Sequence, residues 1–231
     1  MLNHLKGFIL FILFSTAFTG QNMAQEVGIS FSYFLPQNGS FSAPISPFSF
    51  RGVGVDLNQF FALETGFTLY RMSGLGVKEV PFDNSESMVG PTFTVLVPVE
   101  LVLQFAGNGQ EIRFKAGGFG FHNFASRLNE GNLDRALRDL EGWDVANSDF
   151  EFDNNIGLGF HFGVEYIFYL NNQFGISLEG NYFIGDADLD LRGSYTGGPI
   201  SGPLQTVEAD YGDSQIDFTG LEISIGLLFS N

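Results

Sequence analysis

Residues 156–170 read IGLGFHFGVEYIFYL, and this stretch decides the fold. Every even position carries an aliphatic or aromatic side chain, whereas the odd positions include Gly157, Gly159, His161, Gly163 and Glu165. A period of two places successive side chains on opposite faces of a β-strand. The stretch therefore predicts a long strand with one apolar face and one polar or empty face.

The same alternation recurs on both sides of this strand. It resumes at Phe174 after the polar residues 171–173, which predicts a hairpin with a tight turn. It is also clear near both chain ends, at 27–35 and at 221–229, and weaker at 50–57 and 112–121. In all, the pattern predicts eight strands at about 27–35, 50–57, 61–69, 93–103, 112–121, 156–170, 174–181 and 221–229.

The connections between these strands alternate in length. Long polar segments run over about 36–47, 72–91, 124–154 and 184–214, and short ones over 58–59, 106–110 and 171–173. Short turns at one end and long loops at the other are typical of outer-membrane barrels, and an even strand number leaves no unpaired edge in lipid. We therefore predict an all-β, eight-stranded antiparallel up-and-down transmembrane β-barrel with short periplasmic turns and long extracellular loops.

Charged residues in the predicted strands fall on the polar face. A charge on the lipid face at midplane costs about 2–4 kcal/mol for Lys or Arg, so this face is expected to point inward. Eight strands enclose a lumen just wide enough for side chains, which predicts a salt-bridged plug with an acidic excess and no open pore. The predicted lumen charge network consists of Arg51, Glu64, Glu100, Arg113, Lys115, His161, Glu165, Glu179 and Glu222.

A soluble, lipocalin-like barrel has the opposite arrangement, with an apolar interior and a wet exterior, and alternation alone does not distinguish the two. Three features favour the membrane form. Phe and Leu crowd one face over the length of a bilayer crossing, the other face carries charges, and the last strand ends near Phe229. A terminal Phe resembles the insertion signal that the barrel-assembly machinery reads.

Composition and the amino-terminal sequence indicate which kinds of site are absent and where in the cell the chain is located. The 231 residues include no Cys, which excludes disulfides and thiolate metal sites, and a formal charge of −16 argues against nucleic-acid binding. Lys6 followed by an apolar run too short to span a bilayer predicts a signal peptide at 1–24, with the barrel domain at 25–231. Removal of the signal leaves a formal net charge of −17, because Lys6 is the only charged side chain in residues 1–24.

The span 27–229 resembles the eight-stranded outer-membrane β-barrel family, which is related in form to OmpA and OmpX barrels and includes PorT-like proteins. The sequence LVPVEL at 96–101 is similar to that family's fourth strand, GGFG at 117–120 to its fifth, and GLGF at 157–160 to its sixth. The resemblance implies the barrel fold and the Gram-negative outer membrane, and it supplies no shared catalytic residues.

Two clusters invite a chemical interpretation. His122, Asn123 and Ser126 suggest comparison with outer-membrane lipid A deacylases, but the spacing singles out no nucleophile, base and acid, so no enzyme activity is expected. No metal site is expected. The candidate ligands for Ca²⁺ are Asp186, Asp188 and Asp190, which Asp210, Asp213 and Asp217 follow, with a solvated loop as the alternative. No cofactor is expected.

The third long loop contains a helical pattern. Leu133, Ala136, Leu137 and Leu140 have helical spacing, with Asn132 as the predicted cap and Gly142 as the stop. This short helix would either dock a partner or fold over the barrel mouth with the Trp at 143.

The sequence as a whole favours a non-enzymatic outer-membrane protein with a structural or interaction role through its outer loops. A narrow transporter or a lipid-active enzyme is the alternative. The expected partners are outer-membrane lipid and lipopolysaccharide, the assembly machinery during insertion and a protein at the outer loops, with no nucleic acid.

Overall fold

The computed structural model describes residues 27–39, 45–83 and 85–229. In chain order the elements are β1 (Val27–Pro36), β2 (Ile45–Asp56), β3 (Phe61–Met72), β4 (Val77–Lys78), β5 (Thr92–Gly107), β6 (Gln110–Phe124), α1 (Glu130–Glu141), β7 (Val145–Phe152), β8 (Ile156–Tyr169), β9 (Phe174–Asp188), β10 (Leu191–Gly198), β11 (Gln205–Tyr211), β12 (Gln215–Asp217) and β13 (Gly220–Phe229). The predicted signal peptide at 1–24 and the start of the predicted 25–231 domain lie outside the described residues.

Eight strands form a closed antiparallel barrel, which confirms the predicted fold class. The order around the barrel is β1, β2, β3, β5, β6, β8, β9 and β13. The ring closes because β13 pairs with β9 on one side and with β1 on the other. The seam between β1 and β13 runs through ten residue pairs, from Val27 opposite Phe229 to Pro36 opposite Gly220. Closure leaves no barrel edge unpaired.

The short connections define one end of the barrel, called here the turn end. Between β5 and β6 only Asn108 and Gly109 remain, with φ of 53° and 75°, whereas the sequence predicted a longer connection at 106–110. Positive φ at both central residues is the requirement of a type I′ hairpin, which Asn-Gly meets. In the other two turns the side chains of Asn58 and Asn171 accept hydrogen bonds from backbone N–H groups of the strand that follows.

The opposite end, called here the loop end, is more ordered than predicted. The segments 124–154 and 184–214 are long connections between barrel strands, as predicted, but besides the predicted helix α1 they contain the strands β7, β10 and β11, which the sequence did not predict. The three strands form a separate antiparallel sheet in the order β11, β10, β7, called here the loop-end sheet. A further short ladder joins β4 to β12, and β12 also pairs with the last residues of β9, at Asp186–Asp188.

The predicted helix exists, but it begins earlier than the sequence suggested. Asn129, not Asn132, is the N-cap, and its side chain accepts a hydrogen bond from the Asn132 N–H. Gly142 ends the helix in the left-handed conformation, as predicted. Leu133, Ala136 and Leu137 are buried on the side that faces the rest of the chain. None of the helices in the described residues has the length and hydropathy needed to cross a membrane.

The weak alternation of the second strand has a structural cause. β2 begins at Ile45, five residues before the predicted start, and its pairing with β3 shifts register twice. One shift lies between Phe50 and Val53, where Gly52 has a φ of 78°. A β-bulge adds one residue to a strand and so disrupts the period of two.

The outward face of the barrel is the apolar one. Side chains that alternate along the strands are exposed by about 40–75%, and they include Ile29, Phe31, Leu63, Val99, Leu101, Phe114, Leu158, Phe160, Phe162, Leu178, Ile225 and Leu227. A continuous apolar surface of this kind is stable against hydrocarbon and unfavourable in water. This arrangement is the transmembrane form predicted from the sequence, not the lipocalin-like alternative.

Two adjacent glycines in β6 provide a test of the inward packing. A Cβ on Gly117 would lie 2.0 Å from the Val99 carbonyl oxygen, whereas a Cβ on the outward Gly118 would have no atom nearer than 3.6 Å. We expect Gly117→Ala to destabilise the barrel by about 1–3 kcal/mol, because a backbone atom must move. Gly118→Ala should leave stability within about 1 kcal/mol of the wild type. Urea unfolding of both variants in detergent checks this, and equal stabilities would contradict it.

Candidate functional site

The lumen contains all nine residues of the predicted charge network. Every one of them is buried, with at most 7% of its surface exposed, on the inward face of a barrel strand. They come from β2, β3, β5, β6, β8, β9 and β13, so the barrel itself brings together residues that are far apart in sequence. The site described below is this layer of charge and the aromatic layer that covers it.

Arg51 is the central cation of the layer. Its Nη2 donates to both carboxylate oxygens of Glu222, at 2.7 and 2.9 Å, and its Nη1 lies 3.0 Å from Glu179 Oε2. Its Nε donates to Ser49 Oγ at 3.0 Å. The Glu222 carboxylate also accepts from the Tyr70 hydroxyl and from Asn181 Nδ2. Arg51 and Glu222 therefore have their polar atoms paired with each other and with their lumen neighbours, as a buried ion pair requires.

A second group of ion pairs continues from Glu179 toward the turn end. Lys115 Nζ lies 3.1 Å from Glu179 Oε1 and 2.8 Å from Glu165 Oε2. Nearer the turn end, Arg113 Nε lies 2.6 Å from Glu111 Oε1, and Arg113 Nη1 lies 3.5 Å from Glu64 Oε1. Because Glu179 contacts both Arg51 and Lys115, the first group and Lys115 form one connected network.

His161 occupies a different environment from the one expected. The sequence favoured a hydrogen-bonded lumen histidine, but its Nε2 lies 3.6 Å from Glu100 Oε1, beyond hydrogen-bond distance. Its ring stacks on Phe183 with centroids 5.2 Å apart and meets the edge of Phe119. His161 therefore lies at the boundary between the charged layer and the aromatic one.

Sequence reasoning missed three members of the network. Glu111 lies on the same inward face as Arg113, one residue before the predicted start of that strand at 112. Tyr70 lies one residue past the predicted end of β3 at 69. Asn181 was identified on the polar face of its strand but was not assigned to the network. Extending each alternation by two residues in both directions would have found Glu111 and Tyr70.

The described lumen is acidic overall. Six glutamates, at 64, 100, 111, 165, 179 and 222, face three cations, Arg51, Arg113 and Lys115, which leaves a formal excess of three negative charges when all are ionised. Removing charges from water costs several kcal/mol per ion, and close pairing offsets this cost. The charged side chains can therefore be buried in the lumen because they contact one another.

A layer of aromatic rings separates the charged network from the loop end. Phe218, fully buried and placed just before β13, is at its centre. Its ring stacks on Phe34 at 4.6 Å and on Phe121 at 4.7 Å, and it meets Phe119, Phe183 and Tyr70 at about 6 Å. Rings in offset or edge-on contact form a dense apolar barrier.

The space left inside the charged layer is small. A cavity of about 10 Å³ is lined by Ser30, Arg51, Glu64, Lys115 and Glu179, among others. This volume is about that of a single water molecule by the same measure. In this cavity the charged layer therefore leaves room for about one water molecule.

The residues of the suggested deacylase site do not assemble. His122 is exposed on the outward face of β6, whereas Asn123 is buried and bonds to Thr94. The Ser126 hydroxyl shares a hydrogen bond of 2.6 Å with Thr92 Oγ1. The Asn123 and Ser126 side chains thus bond to different threonines, and His122 lies on the opposite face of the strand from Asn123.

The candidate metal ligands also differ from their predicted setting. Asp186 and Asp188 belong to β9, not to a loop, and both side chains are exposed on its outward face. Asp188 accepts a hydrogen bond from Gln215, and Asp190 is 3.5 Å from Asn155 Nδ2. Among the described residues, no three His, Asp or Glu side chains converge on a point where a metal ion would bind.

The loop-end sheet has one packed face and one solvated face. Phe150, Tyr195 and Tyr211 stack on the packed face, which lies against the buried side of α1. The Tyr195 hydroxyl donates to Glu141 Oε1 at 2.7 Å, and burial together with this bond raises the pKa of Tyr195, so the phenol remains a neutral donor. The helix predicted at 132–142 therefore packs on its own chain.

Comparison with known proteins supports the fold. The chain matches no protein-family model and no curated protein. It is similar to the outer membrane protein OprG from Pseudomonas aeruginosa, with a TM-score of 0.51 and 12% identity over 92% of this chain and 98% of that one. It is less similar to a major outer membrane protein from Thermus thermophilus, with a TM-score of 0.45 and 10% identity over 89% and 98% of the two chains. An outer membrane channel from Pseudomonas putida also matches, with a TM-score of 0.21 and 11% identity over 91% and 97%. The likeness to OprG agrees with the closed barrel described above.

Proposed function

We propose that this chain is a non-enzymatic outer-membrane protein that displays its loop-end sheet and α1 outside the cell as an interaction surface. The observation that carries the proposal is a filled lumen beneath an ordered outer layer. The apolar belt supports the membrane location, and the signal peptide expected at 1–24 supports export. The OmpA/OmpX-like and PorT-like resemblance of the sequence supports the same compartment, the Gram-negative outer membrane.

The proposal assigns each end of the barrel to one side of the membrane. The turn end faces the periplasm and the loop end faces the medium, as in other outer-membrane barrels. Lipid and lipopolysaccharide are then the partners of the belt, and Phe229 at the end of β13 is the feature offered to the assembly machinery. The acidic composition supports the absence of a nucleic-acid partner.

The filled lumen supports an interaction role over the narrow transporter. Ion pairs fill the half of the lumen near the turn end, and the rings around Phe218 close the other half. Passage of a solute would require both layers to rearrange, at the cost of separating buried charges. The separate placement of His122 and Ser126 supports the absence of esterase activity.

Planar-bilayer recording tests the proposed function. We expect no discrete conductance steps from the purified, refolded protein, because ion pairs and packed rings occupy the lumen. The folded state is verified in the same sample by gel mobility, which should differ between unheated and boiled protein. Reproducible single-channel steps from folded protein would favour the transporter. The thiol introduced by Ile200→Cys, at a position that is 82% exposed in a chain without native Cys, is expected to react with a membrane-impermeant maleimide–biotin reagent on intact cells, and the absence of this reaction would contradict outward display.

A further inference from the structure

The loop-end sheet has two edges, and within the described residues only the β7 edge is covered by another element. At the β7 edge, the side chain of Asp134 in α1 accepts hydrogen bonds from the Ser148 N–H at 2.7 Å and from its hydroxyl at 2.6 Å. The helix therefore occupies this edge and satisfies a backbone donor that another strand would need. Covering an edge in this way is a common means of preventing unwanted strand pairing.

The β11 edge has no such cover. β11 runs for seven residues in unbroken register with β10, from Gln205 opposite Gly197 to Tyr211 opposite Leu191. Within residues 27–39, 45–83 and 85–229 it pairs with no other strand. It contains no proline and no bulge, so alternate N–H and C=O groups point away from the sheet in the geometry that a further strand requires.

The side chains of β11 indicate what kind of strand fits. Glu208 and Asp210 lie on its solvated face, and Val207, Ala209 and Tyr211 lie on the packed face, where they are half-buried. A strand added here would place side chains directly opposite these residues. Basic residues on the solvated face and apolar residues on the packed face would complement both rows.

A second copy of the chain does not meet this requirement. Pairing β11 with β11 of another copy would bring rows of carboxylates together, and like charges directly opposite each other are destabilising. The whole chain carries a formal charge of −16, which opposes self-association and favours a cationic partner.

The turn that precedes β11 carries exposed apolar side chains that a partner could contact. Ile200 and Leu204, in the hairpin before β11, are 82% and 63% exposed. The hairpin is held in place by hydrogen bonds from the Ile200 N–H to Asp144 Oδ2 at 3.0 Å and from the Gly202 N–H to the Pro199 carbonyl at 3.0 Å. A rigid apolar tip beside an open edge extends the surface available to an incoming segment.

We propose that β11 accepts an extended segment of a partner protein as a fourth strand of the loop-end sheet. Alternate residues of that segment are basic and lie opposite Glu208 and Asp210, and the intervening residues are apolar. This inference rests on the proposed function, since it names the partner chemistry of the displayed surface. Backbone hydrogen bonds supply affinity in this mode of recognition, and alternate side chains supply specificity.

The test uses the full-length protein in detergent and two synthetic nine-residue peptides, one alternating Lys and Val and the other Glu and Val. We expect the Lys–Val peptide to bind and to slow amide hydrogen exchange in Gln205–Tyr211, and the Glu–Val peptide to do neither. Binding without protection of these amides would overturn the proposal, because it would show attraction to the acidic surface alone.

A matched pair of variants separates edge pairing from general charge attraction. The double substitution Glu208→Lys with Asp210→Lys should weaken Lys–Val binding by about tenfold or more. The double substitution Asp149→Lys with Glu151→Lys makes the same charge change on β7, at the covered edge, and should leave affinity within about threefold. All four side chains are exposed, so both variants are expected to fold. Equal losses in the two variants would overturn the edge site.

The outcome distinguishes this inference from the function on which it rests. Failure of the peptide to bind β11 in detergent would contradict the proposed strand-binding edge and would leave the proposed outward display unaffected. Failure of the loop end to react with the impermeant biotin reagent on cells would contradict outward display, whether or not the peptide binds.

Discussion

Replacement of Arg51 by alanine is expected to lower the free energy of unfolding by about 3–5 kcal/mol. The guanidinium pairs with both Glu222 and Glu179, and the hydroxyls and amide around them cannot replace its charge. Its loss leaves these two buried carboxylates close together without the cation that they share. Removing one member of a buried pair costs more than the pair contributes, because the remaining charge keeps its desolvation penalty.

Urea titration of the refolded protein, followed by the difference in gel mobility between folded and unfolded forms, measures this effect. Arg135→Ala is the matched control, since Arg135 pairs with Glu86 at the loop end and both side chains are nearly half exposed. We expect the control to lose less than about 1 kcal/mol. If the two variants were equally stable, the lumen network would not be the buried, interdependent structure described here.

Replacement of Phe218 by alanine is expected to cost about 3–5 kcal/mol as well. The side chain is fully buried and stacks between Phe34 and Phe121, so truncation removes contacts on both sides of the ring. The barrel wall limits how far the surrounding rings can move inward to fill the gap, since each of the eight strands is hydrogen-bonded to a neighbour on both sides.

The same urea titration reports the loss, and Ile200→Ala provides the comparison. Ile200 is 82% exposed at the loop end, so its truncation should change stability by less than about 0.5 kcal/mol. Fluorescence of the single Trp, at 143 in contact with Tyr195, follows the loop-end sheet in the same experiment. A stability loss for Phe218→Ala no larger than that for Ile200→Ala would show that the ring is not a packed element of the lumen.

The barrel could be predicted from the sequence because its two faces differ so strongly in chemistry. A shift of one residue would turn every charged side chain of a strand toward lipid, so register and orientation are both specified by the alternation. The same reasoning placed Arg51 on the inward face although the bulge near Gly52 interrupts the period of its strand. The pairing of Arg51 with Glu222, 171 residues away, depends on the stagger of the closed barrel and cannot be read from local pattern.

The loop-end sheet could not be predicted in the same way. β7 alternates Ala146, Ser148 and Phe150 with polar residues, and β10 contains Gly193 and Gly197 where an apolar side chain would mark the packed face. Gly197 is needed because a Cβ there would lie 2.3 Å from the Trp143 ring. Close packing therefore requires a glycine at a position where an apolar side chain would have indicated a strand. Strands with small or polar inward residues look like loops until their partners are known.

The start of the helix was predicted three residues too late, because two asparagines could act as its N-cap. Asn129 and Asn132 are both acceptable N-caps, and only the position of the preceding chain decides between them. The Asn129 N–H donates to the Met88 carbonyl, which fixes Asn129 where its side chain can cap the first turn. Asn132 is instead the first capped residue, and its own side chain donates to the Ser87 carbonyl.

The seam between β1 and β13 has a consequence for biosynthesis. β1 pairs with β2 on one side, but its other edge pairs with β13, the last barrel strand along the chain, because Val27 lies opposite Phe229. The barrel therefore cannot close before β13 has been synthesised, and until then the free edge of β1 is open to pairing with another chain.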